Sequence, residues 1–246
     1  MSDWRGEGRA ARLRVAGAEL VAEPEGGLYW PGGQVLAIAD LHLEKGASFA
    51  GRGVMLPPYD TPDTLSLVER LVRRRRPRTV IALGDSFHRD DSHAHLPAET
   101  AERIQALSAC VRWIWIAGNH DPQMPGGLGG EAAEEVAIGP FIFRHAPREG
   151  AEAGEISGHL HPVARLRARG RVIRARCFAA SAWRVVMPAL GAYAGGLNVL
   201  DPAFSGLFPS GRFHAWMLGG ARVHALLPSR LVADPGRSPA PRAGVA

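Results

Sequence analysis

Three nearly continuous apolar runs, residues 35–39, 79–83 and 111–117, punctuate the first half of the chain. Runs of this length read as strands buried on both faces. Between them, residues 61–75 place Leu65, Val68, Leu71 and Val72 on one helical face, and residues 96–110 do the same with Ile104 and Leu107. Thr61 and Pro62 suit the N-cap and first turn of the earlier helix, and Pro77 closes it. Strand, helix, strand, helix, strand predicts a parallel βαβαβ unit, in which ligands gather beyond the carboxyl ends of the strands. From residue 141 onward the pattern changes. Residues 141–144, 155–158, 171–179, 197–200, 213–218 and 222–227 are short strand-like runs separated by Gly and Pro, which predict a second, more antiparallel sheet. Two facing sheets with helices outside give an α/β (α+β) fold, a four-layer αββα sandwich. Residues 1–233 are expected to form one domain, and residues 234–246, rich in Pro, Gly, Ala and Arg, a disordered tail.

Composition narrows the class. The 246 residues are 46% hydrophobic and 22% charged, enough for one substantial core. No apolar stretch approaches the roughly 20 residues of a bilayer span, so no membrane association is expected. Residues 1–14 carry Asp3, Arg5, Glu7, Arg9, Arg12 and Arg14 without an apolar core, so a secretory leader is not expected and a cytoplasmic location is. Cys110 and Cys177 lack paired spacing and are expected as buried, unreactive thiols. The formal charge is +5, and Lys45 is the only lysine among the 29 basic residues. Guanidinium binds phosphate bidentately, so the excess favours an anionic partner, although a GC-rich gene accounts for it equally.

The ten histidines carry more information. Chance alone supplies about 0.4 Asp-x-His patterns in a chain this size, so a single one means little. Asp91-Ser-His93 and His93-Ala-His95, in a polar loop, are such decoys. An ordered series in which each member follows an expected strand is another matter: Asp40-x-His42, Gly84-Asp85, Gly118-Asn119-His120-Asp121, His145, and Gly158-His159-x-His161. Taken as ligands, Asp40, His42, Asp85 and His161 surround one divalent cation. Asn119, His145, His159 and a shared Asp85 surround a second. Mixed carboxylate, imidazole and amide donors suit manganese, with iron or zinc as alternatives, better than calcium or magnesium. A carboxylate bridging two such ions sets them roughly 3.5–4 Å apart, the spacing that clamps attacking and leaving oxygens in phosphoryl displacement. Water between them ionises near neutral pH and serves as a nucleophile without Ser, Cys or Thr. His120 is left over by this ligand count, so it is assigned to stabilising the transition state and protonating the leaving oxygen. Asp121 is assigned to orienting that imidazole.

These blocks resemble the signature of the calcineurin-like metallophosphoesterases, from Ala39 through His161. The run from Asp40 to Ala50, Arg52-Gly53, residues 56–61, Gly84-Asp-Ser-Phe-His88 and residues 188–198 further resemble the ligase-associated DNA damage response metallophosphoesterases, a similarity spanning roughly residues 15–225. The resemblance implies a four-layer sandwich, a dinuclear metal centre, and phosphodiesterase or endonuclease action on DNA in repair. It also implies association with an ATP-dependent DNA ligase, a helicase and an exonuclease. Hydrolysis of a small nucleotide or phosphomonoester, and a non-catalytic adaptor role, are the competing readings.

Several residues stay open between function and structure. His88, three positions after Asp85, reaches either the substrate or only the protein around it. Lys45, Ser48 and Arg52 lie in a Gly-containing loop after the first donor pair, where they either contact phosphate or simply face solvent. Residues 73–76 are four consecutive arginines that complement a helix C-terminus or contact nucleic acid. Arg165, Arg167, Arg169, Arg171, Arg174 and Arg176 offer a second basic track, placed just after His161. Trp113 and Trp115 belong to an expected buried strand and are read as core.

Overall fold

A computed structural model describes residues 9–46, 60–88, 96–122, 126–150, 153–208 and 211–236. Arg52, Ser48 and the decoy histidines His93 and His95 lie outside the described residues. The first sheet runs in the order β1 (Ala11–Val15), β2 (Ala18–Ala22), β3 (Leu28–Trp30), β4 (Val35–Ile38), β5 (Thr79–Leu83), β6 (Arg112–Ile116) and β7 (Glu131–Ala133). Pairing is antiparallel from β1 to β4 and parallel from β4 to β7. The chain then changes sheet within one residue, Glu134. The second sheet holds β8 (Glu135–Ile138), β9 (Phe141–Arg144), β10 (Glu155–Ser157), β11 (Val163–Ala168), β12 (Arg171–Ala180), β13 (Arg184–Val186), β14 (His214–Gly219) and β15 (Arg222–Leu226). Its order is β15-β14-β12-β13-β10-β9-β8, with β11 paired to β12. Only β9, β10 and β13 run parallel in it, so the sheet is mixed.

The apolar side chains sort into three layers. Leu13, Val15, Ala37, Ile81 and Ile114 from the first sheet meet Phe141, Phe143, Ile156, Phe178 and Val185 from the second. On the outer face of the first sheet, Leu36, Ile38, Val80, Trp113 and Trp115 pack under two helices, α1 (Asp60–Arg75) and α2 (Ala98–Cys110). The outer face of the second sheet is covered differently. Cys177, Ala179, Val186 and Met217 pack under Val199, Phe204, Leu207 and Phe208, carried by irregular chain and a 3-10 turn, Pro202–Phe204. Two helices and two sheets make the α+β sandwich, and the fourth layer, among the described residues, is built without an α-helix. No helix of the described residues is long and apolar enough to cross a membrane.

Local chemistry explains α1. Leu65, Val68 and Leu71 are buried on one face, Asp60 and Asp63 lie in the first turn, and Arg73, Arg74 and Arg75 in the last, so charges complement the helix dipole at both ends. The expected Thr61 cap is not what starts the helix. The helix begins at Asp60, whose Oδ2 accepts the Gly46 N–H at 2.7 Å, while Thr61 Oγ1 accepts the Glu44 N–H at 2.8 Å. Both side chains therefore hold the loop after β4 instead of the helix's own amides. At the other end Arg74 and Arg75 pair with the fully buried Glu23, and Arg74 also with Glu25, so these two guanidiniums are engaged within the protein.

Other expectations are corrected in detail. Residues 197–200 form a turn with one bridge, Val163 to Asn198, instead of a strand. Cys177 is buried, but Cys110 is exposed at the end of α2. The expected tail begins in contact with the body: Asp234 pairs with Arg165 at 3.1 Å, and the Val232 N–H donates to the Arg165 carbonyl. Residues 237–246 lie outside the described residues.

Candidate metal centre

Each donor block sits just past a strand end. Asp40 and His42 follow β4, Asp85 follows β5, and Asn119 and His120 follow β6. His145 follows β9, while His159 and His161 follow β10. The first sheet thus supplies one half of the centre and the second sheet the other. Asp40, His42, Asp85 and His161 each offer a ligand atom within 4.8 Å of the others, and Asp85, His145 and His159 form a second such group. Asp85 belongs to both. The Asn119 side-chain amide lies 3.5 Å from His159 Nδ1, and half a turn of that amide presents its carbonyl oxygen to the same spot.

The backbone at these positions is unusual. Asp40, His42, Asp85, His159 and His161 all have positive φ, between 45° and 69°. Each costs on the order of 1–3 kcal/mol for a non-glycine residue and persists only where neighbours over-determine it. The neighbours here are the loops themselves. The His42 N–H donates to the Asp85 carbonyl and the Leu43 N–H to that of Ser86, both at 2.9 Å. The Gly158 N–H donates to the His145 carbonyl, and the Gly191 N–H to that of Asp40. Two glycines are dictated by the same crowding. A Cβ on Gly84, at φ +71°, would sit 2.5 Å from His145 Nδ1, and one on Gly118 would sit 2.1 Å from the Asp85 backbone nitrogen.

The donor set fits a divalent cation. His145 Nδ1 faces the Leu83 carbonyl at 2.9 Å; an N–H placed there donates to that oxygen and leaves a lone pair on Nε2. That lone pair faces the Asp85 Oδ1 oxygen at 3.5 Å and His159 Nδ1 at 3.1 Å. Two acceptors facing one another call for a cation. His42 Nε2 and His161 Nε2 stand 3.3 Å apart, and His161 Nε2 is 3.3 Å from Asp40 Oδ1. Ligands that share a cation with bonds of about 2.1 Å lie about 3.0–3.4 Å apart, the spacing of the His42–His161, His161–Asp40 and His145–His159 pairs. Burial, reinforced by His161, pushes the His42 imidazole down to about 3. Burial likewise lowers His159, so both rings are neutral and free to coordinate at neutral pH. For Asp85 burial acts upward, but His145, the His120 N–H, His42 and His120 outweigh it and hold the carboxyl below its usual range.

His120 occupies the rim. Its N–H donates to Asp85 Oδ1 at 2.9 Å, its ring is half exposed, and its Nε2 lies 4.0 Å from Asp85 Oδ2. His88 stacks beside it, with ring centroids 5.6 Å apart and planes at 26°. Lys45 lies on the loop after β4, its pKa pushed down by burial against the pull of Asp60 and Asp85. Asp121 is not placed as expected. Its Oδ2 accepts the Ser86 N–H at 2.7 Å and the Phe87 N–H at 3.1 Å, and its buried Oδ1 has no hydrogen-bond partner among the described residues. The carboxyl therefore fixes the loop that carries Asp85 and His88, instead of the His120 ring. Burial raises its pKa to about 7, with Asp85 adding to the shift against the two N–H donors. The Leu83 carbonyl and the Gly191 amide act through backbone atoms, and no residue type signals them in the sequence. The basic stretch after His161 is partly engaged within the protein: Arg165 pairs with Asp234, Arg174 donates to the Gly196 carbonyl, and Arg176 to those of Ala189 and Leu190.

The family profile described as calcineurin-like phosphoesterase matches residues 33–166, from just before β4 to within β11. No curated protein matches the chain in sequence. Among solved structures, the nuclease MPE of Pseudomonas putida is similar at 25% identity and a TM-score of 0.68, covering 89% of this chain and 100% of that one. YfcE, a phosphoesterase from E. coli, is similar at 15% identity and a TM-score of 0.39, covering 78% of this chain and 98% of that one. The converging Asp and His donors and the matched family together identify the chain as a metal-dependent hydrolase belonging to the calcineurin-like phosphoesterase family.

Proposed function

We propose that the protein is a dinuclear phosphodiesterase that cleaves DNA, and that it acts as an endonuclease in repair. The observation that carries this reading is the pair of donor groups sharing Asp85, closed beneath by both sheets and open at the rim where His120 and His88 stand. Asp40, His42, Asp85 and His161 would hold one divalent cation; Asn119, His145 and His159, with Asp85, would hold a second. Such cations, manganese foremost with iron or zinc as alternatives, supply Lewis-acid polarisation of phosphoryl oxygens and lower the pKa of water.

The chain's own residues do the rest. Asp40, fully buried, accepts the His159 N–H through Oδ2 at 3.0 Å, so one carboxylate aligns the two ligand loops. Asp85 Oδ1 accepts the His120 N–H, which keeps that ring beside the position a phosphoryl group takes. His120 Nε2 then delivers a proton to the departing oxygen. His88, stacked on His120, and Lys45, which feels the charge of Asp85, are assigned to contact with the phosphate. Arg52 is assigned to the same contact from sequence alone.

DNA as substrate is supported by the structural likeness to a nuclease, which covers nearly the whole chain, and by the arginine excess. The repair setting, with an ATP-dependent ligase, a helicase and an exonuclease as partners, draws on the sequence resemblance. Hydrolysis of a small phosphoester is the second reading, favoured by the internal engagement of Arg74, Arg75, Arg165 and Arg176. Protein loaded with manganese, iron or zinc is to be assayed on plasmid DNA and on bis- and mono-aryl phosphates. Nicking of DNA together with diester preference is expected; activity confined to the monoester overturns the nuclease reading. His120→Ala should keep its metal content and lose about 10²–10⁴-fold in turnover. Unchanged turnover removes His120 from the mechanism.

A further inference from the structure

The end of the sandwich remote from the metal centre has a concave surface of its own. The donors that follow β10 leave it by its carboxyl end, and β13 runs parallel to β10, so the residues entering β13 lie at the opposite end. There the turn from β12 to β13, the start of β14 and the strand β1 enclose a cleft of about 770 Å³. Its walls include Arg14, Trp183, Arg212, His214 and Trp216, with no Asp or Glu among the described lining residues. Trp183 is 59% exposed, the most solvent-open of the large apolar side chains described. Arg14 and Arg212 are exposed too, and among the described residues neither makes an ion pair.

An uncovered indole beside two guanidiniums without an ion pair, in a cleft with no carboxylate among its described lining residues, matches one ligand chemistry well. An unstacked base lies flat on an indole, while neighbouring phosphates take bidentate hydrogen bonds from arginine. We propose that this cleft binds single-stranded nucleic acid, with a base stacked on Trp183 and phosphates held by Arg14 and Arg212. The proposal rests on the nucleic-acid reading of the substrate and adds to it a non-cleaving contact. Chain between Trp183 and Gly191, whose amide reaches the Asp40 carbonyl, runs about eight residues, or on the order of 25 Å if extended. A strand held in the cleft is therefore tethered away from the donors and raises the local concentration of phosphodiester at the centre without sharing its residues.

Binding of a fluorescein-labelled oligothymidylate to the full chain in EDTA, read by anisotropy, tests the cleft without cleavage. Trp183→Ala should weaken binding about fivefold or more, and Trp183→Phe should restore most of it. Arg14→Gln combined with Arg212→Gln should reduce the slope of log affinity against log salt by about 1.4. Hydrolysis of a bis-aryl phosphate by metal-loaded Trp183→Ala should equal that of the wild type, which shows the fold and the centre intact. Failure of the wild type to bind, or variants that bind with wild-type affinity and slope, overturns the proposal. Failure of metal-loaded wild type to cut DNA instead overturns the nuclease reading, and the EDTA measurement still decides the cleft.

Discussion

Asp121 holds an awkward position: a buried carboxyl with one oxygen committed to two amides and the other, among the described residues, to none. In the fold it keeps its proton up to about pH 7, whereas an unfolded aspartate releases it at about 3.9. The folded state therefore binds more protons across that window, and this residue's contribution to stability is present below about pH 4 and lost as pH rises through about 7. Asp121→Asn keeps an oxygen for the Ser86 and Phe87 amides and has no proton to lose. In urea titrations of chelated protein, the stability of the variant minus that of the wild type should grow from about pH 4 to about pH 7 and then level off. Parallel curves would remove the carboxyl as the source. Asp121 stands beside His120 in the chain, and adjacency suggested a partnership, but consecutive residues in a tight loop face different ways. What it serves, two amides of the Ser86-Phe87 loop, is adjacent only in space.

Strand β10 shows how an element positions a site from its far end. Glu155, its first residue, is fully buried between Arg144 at 3.1 Å and Arg184 at 3.2 Å, themselves almost wholly buried. Arg184 also donates to the Arg148 carbonyl at 2.7 Å and to that of Gly150. Gly158 and the His159 donor follow directly after β10, so this charged cluster sets where His159 and His161 emerge. Removing one member of a buried ion pair strands the other, typically at about 3–5 kcal/mol. Glu155→Gln should lose stability of that order in denaturant titrations and weaken metal uptake as well; a stability change within error would mean the arginines find other partners. Elements were legible where the pattern was strong. The continuous apolar runs of β4, β5 and β6 and the helical spacing of α1 and α2 correspond to observed elements within a few residues. Strands β1 to β3 and β7, β8, β11 and β13 went unread for a physical reason. In β1, Leu13 and Val15 are buried between exposed Arg12 and Arg14, while β3, β7, β8 and β13 are only three or four residues long, too short for an apolar pattern to stand out. The donor blocks were legible because their residue types recur at strand ends in order, while their strained backbone and carbonyl partners leave no mark in composition.

At the scale of the molecule, the centre lies on the seam between the two sheets. His42 comes from the first sheet and His161 from the second, 119 residues later. A cation that binds only the folded chain stabilises it by about 2.7 kcal/mol when its free concentration is 100 times its dissociation constant. Chelation should therefore lower the melting temperature, and metal added back should raise it in step with concentration. A melting curve indifferent to metal would mean that the donors do not close on a cation. Neither sheet alone carries all the candidate donors, so a chain whose sheets have not docked brings together only part of the set. The geometry of the centre is therefore set by how the two sheets pack on each other, not by either sheet alone.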